Sequence, residues 1–172
     1  MVSDHEQHAQ FQRLVVPHLD AAFNLARWLA GNDHDAEDIA QEACIRAFRF
    51  VDNCRSTDGR AWLLTIVRNT AYSWLKKNRP VAVVPVDDDE LAEIEDPGGN
   101  TRTFHSADKD LLRAALEALP VELRETLVLR EIEGLSYKEI ADVAKVPIGT
   151  VMSRLARARK QLLEAGNKRD AA

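Results

Sequence analysis

Apolar residues recur every three or four positions along most of the chain, which is the spacing of helices that bury one face. Residues 11–30 show this period, and Pro17 predicts a break or kink inside the run. A second helix is predicted from Asp33 through Val51, because carboxylates crowd its first turn, where they suit the helix dipole. Its inward stripe is predicted to comprise Ile39, Ala43, Ala47 and Phe50.

A loop is predicted over residues 52–59, followed by a third helix over residues 60–77 that stops before Pro80. The predicted apolar stripe of this helix comprises Ala61, Leu64, Val67 or Arg68, Ala71 and Leu75. Residues 81–107 contain prolines, glycines and a run of acidic side chains, and helical spacing does not persist through them. This composition predicts a flexible, solvated acidic linker.

Four short helices are predicted beyond the linker. The first covers residues 108–119, and the second opens at Pro120 and ends before a cap at Gly134. The last two cover residues 137–144 and about 148–164. The predicted fold class is therefore all-α, with two small helical domains at residues 1–79 and 108–172, the second a four-helix domain, and a flexible acidic linker at residues 80–107.

The last two predicted helices have the spacing of a helix-turn-helix, a unit that binds DNA. Ser136 and Glu139 are placed as a capping box for the first of them, and the turn contains Lys145, where glycine is common. The predicted common core joins Ile140, Ala141, Val146, Val151 and Leu155.

With that core turned inward, the opposite face of the last helix is predicted to carry Thr150, Ser153, Arg154, Arg157 and Lys160. The N-terminal residues of a recognition helix contact base edges in the major groove. Residues farther along, Arg159 and Lys160, suit phosphate contacts, and Ser136 and Lys138 suit the DNA backbone. A solvated basic helix in an ordinary bundle is the alternative interpretation.

The net charge of −5 argues by itself against a nucleic-acid binder, but the charge is unevenly spread. Residues 46–80 carry 8 basic and 2 acidic side chains, and residues 136–172 carry 8 basic and 4 acidic ones. Because salt screens charges beyond roughly 10 Å, DNA responds to the local field rather than to the net charge. Two separate DNA-binding modules are therefore compatible with this composition.

The first basic block is interleaved with Trp62, Tyr72 and Trp74. Rings that stack on bases, next to cations that hold phosphates, suit single-stranded DNA, but aromatic residues at helical spacing equally suit a protein core. The acidic residues between positions 35 and 42 would repel DNA. They suit either a basic protein surface or an ordinary solvated face.

Several classes of function are not favoured by the sequence. We find no glycine-rich phosphate loop and no catalytic triad, so we do not expect an enzyme. Cys44 and Cys54 are too few for a disulfide framework, and with His5 and His8 they match no closed zinc site. The apolar runs are too short to cross a bilayer and no signal peptide is evident, so we expect a cytoplasmic protein with no membrane insertion.

Three motifs resemble the sigma-70 family of RNA polymerase sigma factors. The stretch DAEDIAQE at residues 35–42, with RAF at 46–48, is similar to the segment that binds polymerase, and AWLLTIVRN at 61–69 is similar to the helix that reads the −10 element. The run from LP at 119–120 through LSYKEIA at 135–141 and PIGTVMSRLARAR at 147–159 resembles the domain that reads the −35 element. With only these two domains, the chain resembles the small extracytoplasmic-function (ECF) group.

This resemblance implies an alternative sigma factor that binds polymerase core and promoter DNA, needs no cofactor or metal, and is held inactive by an anti-sigma factor. The implied contacts to the clamp helices of the largest polymerase subunit come from Asp35, Glu37, Asp38, Gln41, Glu42 and Arg46, and a contact to the polymerase flap is implied as well. The implied −10 contacts come from Asn53, Arg55, Ser56, Trp62, Arg68, Asn69 and Lys76, with the loop at 53–56 receiving a flipped base.

The chain departs from the family pattern at Ser73, where aspartate is frequent, and at Lys145. Cys54 in the implied specificity loop leaves the −10 preference open, and oxidation of Cys44 beside the docking face is a further hypothesis. Two other functions remain as alternatives. One is a stand-alone helix-turn-helix regulator, for which we see no dimerisation heptad. The other is a sigma mimic that sequesters an anti-sigma factor.

Overall fold

The structure, a computed structural model, describes residues 3–83 and 109–170. Within these ranges the chain is helical and contains no strand, as the sequence predicts. The α-helices are α1 (Asp4–Leu14), α2 (Leu19–Ala30), α3 (Asp33–Phe50), α4 (Arg60–Asn78), α5 (Lys109–Ala118), α6 (Val121–Leu127), α7 (Tyr137–Ala144) and α8 (Ile148–Asp170). We call residues 3–83 region A and residues 109–170 region B. None of the described helices combines the length and apolar character needed to cross a membrane.

The first predicted helix is two helices in the structure. A 3₁₀ turn at Val16–His18 contains Pro17 and separates α1 from α2, which confirms the predicted break. Helix α1 begins earlier than its apolar spacing indicates, because Ser3 and Glu6 form a capping box at its start. Gly31, with φ +86°, ends α2.

Helix α3 buries Ile39, Ala43 and Ala47, as predicted. The prediction was wrong for Phe50, which is 54% exposed. The buried positions continue at intervals of four residues to Val51, so the core position at this end of the helix belongs to Val51.

Helix α4 buries Leu64, Val67, Ala71 and Leu75, which decides between Val67 and Arg68 in favour of the apolar residue. It begins after Gly59, which has φ +69° and is packed against the backbone of Leu14. Helices α2, α3 and α4 pack on one another and form the centre of region A.

Region B contains the four helices that the sequence predicts, with two changes. The second predicted helix is α6 followed by a π-helical turn, Val128–Ile132, and Pro120 is the N-cap of α6 rather than its first residue. The last helix extends to Asp170 instead of ending near residue 164. Gly134, with φ +69°, follows Glu133 at the end of this segment, where the sequence predicts a cap.

The two regions share one hydrophobic core. Helix α4 packs against α7, and α2 packs against α6, so the regions are in direct contact. Most of the predicted linker at residues 80–107, from residue 84 onward, lies outside the described residues; at its start, Pro80–Ala82 forms a 3₁₀ turn.

Candidate nucleic-acid interface

Helices α7 and α8 form the predicted helix-turn-helix. Ile140, Ala141, Val151 and Leu155 are buried together, and Val146 packs against them from the turn. The turn closes through a hydrogen bond of 3.1 Å from the amide of Val146 to the carbonyl of Ala141. This geometry confirms the predicted core and fixes the direction of α8.

The start of α7 is held by side chains on both sides. The Ser136 hydroxyl accepts a hydrogen bond from the Glu139 amide at 3.1 Å, and the Glu139 carboxylate accepts one from the Ser136 amide at 3.0 Å. Arg130 donates to the carbonyl of Leu135, and its guanidinium lies 4.7 Å from the centroid of the Tyr137 ring. Sequence reasoning found the capping box but missed Arg130, whose contact depends on the π turn.

The Lys145 backbone is in the left-handed conformation, with φ 57°. This conformation explains why glycine is common at such a position, since a side chain is accommodated there only with strain. Lys145 itself is exposed and points its charge toward the solvent beside the turn.

The surface of α8 differs from the prediction at one arginine. Lys160 is exposed, while Thr150, Ser153, Arg157 and Arg159 are half-buried. Arg154 was predicted on the open face, but it is only 5% exposed and its guanidinium lies 3.5 Å from the carboxylate of Glu122. The reason is that α6 packs along this side of α8.

Two apolar side chains that sequence reasoning missed lie on the same part of α8. Ile148 and Met152 are each 46% exposed, one helical turn apart. Their spacing of four residues was a signal available in the sequence, since a face turned toward water would ordinarily carry polar groups there. At the N-terminal end of a recognition helix, such atoms can contact a base edge.

The predicted −10 residues lie on the loop before α4 and along α4 itself. Asn53, Arg55 and Ser56 are exposed on the loop, and Lys76 is exposed near the end of the helix. Trp62 and Asn69 are half-buried, as is Trp74, with the Arg79 guanidinium 5.2 Å from the Trp74 ring centroid. Ser136 and Lys138, predicted for the DNA backbone, are exposed at the start of α7.

Arg68 is held by region B. Its Nε donates a hydrogen bond of 2.6 Å to Oε1 of Glu125, a carboxylate that is completely buried. The hydroxyl of Tyr72 donates to Oε2 of the same carboxylate at 2.7 Å, and the Arg68 guanidinium lies 4.1 Å from the Tyr72 ring centroid. A predicted phosphate ligand and a predicted aromatic platform are therefore both engaged inside the protein.

The electrostatics of this cluster follow from its burial. Burial raises the pKa of the Glu125 carboxyl, while Arg68, the Tyr72 hydrogen bond and Arg154 oppose the rise. Burial and the nearby Glu125 carboxylate raise the pKa of Tyr72, so its hydroxyl keeps its proton and remains a donor. Burial acts to lower the pKa of Arg68, but Glu125 and Tyr72 together outweigh it and the net change is a rise.

A second polar contact joins the regions near the start of α4. The Arg60 guanidinium donates to the backbone carbonyl of Glu133 at 3.0 Å. Burial raises the pKa of the Glu133 carboxyl, and Arg60 opposes this rise. Burial also lowers the pKa of the Arg124 guanidinium on α6.

A cleft of about 480 Å³ lies along the junction of the regions. It is lined by residues of α4, by Val83 and by Glu122 of region B, and the α4 residues are Arg68, Asn69, Tyr72, Ser73 and Lys76. Three of the predicted −10 residues thus border region B in this conformation.

The predicted polymerase-binding residues share one helix, α3. Glu37, Asp38, Gln41 and Glu42 are exposed, whereas Asp35 and Arg46 are half-buried. The Arg46 guanidinium pairs with Glu42 at 2.5 Å. Asp35 accepts hydrogen bonds from Asn32 and Arg79, so part of its charge is neutralised within region A.

The remaining metal and thiol candidates are weak. His34, Asp35 and Asp38 bring ligand atoms within 4.8 Å of one another, but Asp35 is already engaged by Arg79. Cys54 is buried and its thiol lies 3.8 Å from the carbonyl of Ser56. Burial raises the pKa of the Cys44 thiol, which lowers its thiolate fraction and so argues against the hypothesis of a redox role.

Comparison with known proteins decides the family. Residues 14–81 match the family model for sigma-70 region 2, and residues 109–162 match the model for sigma-70 region 4. The RNA polymerase sigma-H factor of Pseudomonas aeruginosa is 35% identical over 167 residues, covering 90% of this chain and 85% of that protein. The ECF RNA polymerase sigma-E factor of Haemophilus influenzae is 35% identical over 151 residues, covering 80% and 77%. The chain belongs to the ECF group of the sigma-70 family. It is an alternative sigma factor, a protein that directs transcription initiation.

Other relatives agree with this assignment. The ECF RNA polymerase sigma factor SigE of Mycolicibacterium smegmatis is 39% identical over 153 residues, which span 88% of this sigma factor and 60% of that longer protein. The solved structure of the sigma factor RpoE in complex with the anti-sigma factor NepR from Bartonella quintana matches with a TM-score of 0.70 and 29% identity, covering 96% and 98% of the two chains. Regions A and B of this sigma factor therefore correspond to sigma-70 regions 2 and 4.

Proposed function

We propose that this sigma factor binds RNA polymerase core through region A and reads the −10 and −35 promoter elements with regions A and B. The modules that do so are residues 1–79 and 108–172, joined by residues 80–107. The observation that carries the proposal is the closed helix-turn-helix core of α7 and α8, which directs a basic helix outward. The same chain presents a separate acidic face on α3.

The acidic face of α3 is the proposed contact to the clamp helices of the largest polymerase subunit. Four of its proposed contact residues are exposed and charged or polar on one helix, namely Glu37, Asp38, Gln41 and Glu42. Such a surface steers a basic partner and repels DNA. Asp35 and Arg46 lie at its border, where their internal ion pairs orient the helix surface. A contact of region B to the polymerase flap is also part of the proposal.

The loop after α3 and the exposed side of α4 are the proposed −10 surface. Asn53, Arg55 and Ser56 are exposed next to each other and could receive a base that has left the stack. Trp62, Arg68, Asn69 and Lys76 follow along α4, where they would stack on bases or hold phosphates of the opened strand. Opening the duplex then needs no catalytic group, and we propose a binding protein rather than an enzyme.

Helix α8 is the proposed −35 reader. Thr150, Ser153 and Arg157 are the proposed base contacts, with Met152 added because its exposed thioether can meet a thymine methyl group. The proposed backbone contacts are Ser136, Lys138, Arg159 and Lys160. Arg154 belongs to the proposed surface only after it leaves Glu122.

One further partner and a location belong to this proposal. The solved relative described above is bound to an anti-sigma factor, and CnrH, 26% identical with a TM-score of 0.65 and a coverage of 94% and 90%, is in complex with the cytosolic domain of CnrY. We propose that an anti-sigma factor likewise restrains this chain. Its site of action would be the cytoplasm, where polymerase and the chromosome are.

The proposal is tested by runoff transcription from a library of promoter fragments, with purified core polymerase and with or without this chain. New transcripts with defined start sites are expected only when the chain is present. Lys160→Ala should weaken binding to the selected promoters. It should also reduce the slope of log affinity against log salt concentration by about one, the contribution of a single phosphate contact. Lys168→Ala is the matched control, because Lys168 is exposed farther along the same helix and outside the proposed contact surface.

The docking face is tested in the same assay. Glu37→Lys should reduce affinity for core polymerase. Glu164→Lys makes the same charge change at an exposed position of α8 and should leave that affinity unchanged. Core binding without any new transcript would instead support the sigma mimic. DNA binding without core binding would support the stand-alone regulator.

A further inference from the structure

Glu125 of α6 makes a buried polar contact between the two regions. Its carboxylate is completely buried, and each of its oxygens accepts a hydrogen bond from α4: Oε1 from Arg68 at 2.6 Å and Oε2 from Tyr72 at 2.7 Å. Hydrogen bonds between charged groups are about twice as strong as neutral ones, and buried ones depend on exact pairing. The contact is therefore sensitive to the loss of either donor.

The Glu125 carboxylate engages the Arg68 guanidinium, the group proposed to bind a DNA phosphate. The Arg68 guanidinium is a proposed ligand of the −10 strand, yet here it donates to Glu125 and stacks on the ring of Tyr72. The same part of region B also provides partners for two arginines of α8: Glu122 pairs with Arg154, and Glu131 pairs with Arg159. Arginines from both promoter-reading helices are thus held by carboxylates of α6 and the π turn.

The contact between α4 and α7 is incompatible with promoter binding. The −10 and −35 elements are separated by about 25 base pairs, as their positions state, which corresponds to roughly 80 Å of B-form DNA. In the structure, the proposed −10 helix α4 packs directly on α7, the first helix of the −35 reader. The two helices must separate before both elements can be bound.

We propose that Glu125 is the latch of a self-inhibited closed state of the free chain. By holding Arg68 and Tyr72, it keeps α4 on region B and withholds the −10 surface until polymerase core and promoter DNA separate the regions. Arg60, through the carbonyl of Glu133, supports the same closed state. The inhibitory role rests on the proposed function, whereas the closed state itself does not depend on it.

Tyr72→Phe is the sharpest test of the latch, because it removes one hydroxyl and keeps the ring. In the closed state, Oε2 of Glu125 loses its donor while it is buried; in an open state, water would replace the donor. An unsatisfied buried acceptor of this kind shifts the closing equilibrium roughly 5- to 150-fold toward opening. Tyr137→Phe is the matched control, since Tyr137 lies on α7 and, among residues 3–83 and 109–170, takes part in none of the hydrogen bonds that join the two regions.

The experiment compares the wild-type chain, Tyr72→Phe and Tyr137→Phe by small-angle scattering and by affinity for core polymerase. We expect a compact wild-type particle, a larger radius of gyration for Tyr72→Phe alone, and a gain of fivefold or more in its affinity for core. The gain follows because apparent affinity rises in proportion to the fraction of the chain that is open. Arg60→Ala is a second variant that should act in the same direction, in case Tyr72→Phe fails to fold.

The latch is overturned if the wild-type particle is already extended, or if both Tyr72→Phe and Arg60→Ala scatter like the wild type. It is also overturned if the variants open but gain no affinity for core while the wild type binds core. If no protein in the series binds core, the proposed function fails instead. The scattering data then still decide whether Glu125 holds the chain closed.

Discussion

Gly59 is packed so closely against Leu14 that a Cβ atom on Gly59 would lie 2.2 Å from the Leu14 carbonyl oxygen. Gly59 also has φ +69°, a conformation that L-residues seldom adopt. This approach joins the end of α1 to the start of α4, and so connects the N-terminal helix to the helix that carries the proposed −10 surface.

Replacement of Gly59 by alanine should lower the free energy of unfolding by about 3 kcal/mol or more, because the new methyl group meets backbone that cannot move aside. Gly134→Ala is the control, since Gly134 has the same φ of +69° and its added Cβ would meet none of the described residues beyond its chain neighbours within 4 Å. That change should lower the free energy of unfolding by only about 1 kcal/mol, the cost of placing an L-residue in the left-handed conformation. Urea unfolding of both variants measures the difference, and equal losses would contradict the close approach.

The capping box of α7 gives a second prediction. Ser136→Ala removes the acceptor for the Glu139 amide and should cost about 1 kcal/mol of stability. It should also weaken binding to −35 DNA, because Ser136 is itself a proposed contact to the DNA backbone. Ser73→Ala, at an exposed position in the middle of α4, should change stability by less than about 0.5 kcal/mol. A neutral Ser136→Ala would mean that water replaces the cap.

The Glu125 carboxyl should give the stability of the protein a pH dependence. Its pKa lies above the ordinary value of 4.5 because burial disfavours the charged form, although Arg68, Tyr72 and Arg154 oppose this. The folded protein therefore holds the proton at a higher pH than the unfolded chain does. The stabilisation is fully present below pH 4.5 and is lost as the pH rises through the raised pKa.

Glu125→Gln removes this titration, so the difference in unfolding free energy between the variant and the wild type reports on Glu125 alone. The unfolding free energy of the variant minus that of the wild type should rise with pH from 4.5 to the raised pKa, by at most about 1.4 kcal/mol per pH unit, and should then level off. Glu133, whose pKa is also raised, is present in both proteins and cancels in the difference. A difference that stays constant or falls between pH 4.5 and 7 would be evidence against the raised pKa.

Met152 should discriminate thymine from uracil in the −35 element. Once a promoter has been selected, each thymine of that element can be replaced by deoxyuridine, which removes only the methyl group. At one position, removal of the methyl group should weaken DNA binding by the wild type a few-fold but leave DNA binding by Met152→Ala unchanged. Leu163→Ala, an exposed apolar residue farther along α8, should keep the wild-type discrimination. Equal sensitivity in all three proteins would rule out the contact.

Local patterns predicted most of the helices. The helix-turn-helix core follows from local spacing, because Ile140, Val151 and Leu155 lie on the apolar faces of two adjacent helices, and the Ser136 cap depends on residues three positions apart. Phe50 was wrongly placed in the core because the spacing of apolar residues does not show which of two adjacent ones is buried at the end of a helix. The part of α1 before Phe11 was missed because the helix is stabilised by its cap and by contact of Phe11 with the distant Phe48, whose ring centroids are 5.4 Å apart.

The contacts between the regions could not be predicted in this way. Glu125 lies in a stretch of alternating charged and apolar residues, where a glutamate is ordinarily exposed. Its donors, Arg68 and Tyr72, are more than 50 residues away in the sequence. The burial of Arg154 has the same origin, since it depends on how closely α6 packs on α8.

The π turn at Val128–Ile132 contains one residue more than an α-helix of the same length would need. Deleting one residue there would restore regular winding and rotate everything that follows by about 100° relative to α6. Glu131 would then turn away from Arg159, and the carbonyl of Glu133 away from Arg60. The one extra residue of the π turn thus sets the rotation of the following segment, and with it the pairing between its carboxylates and the arginines they hold.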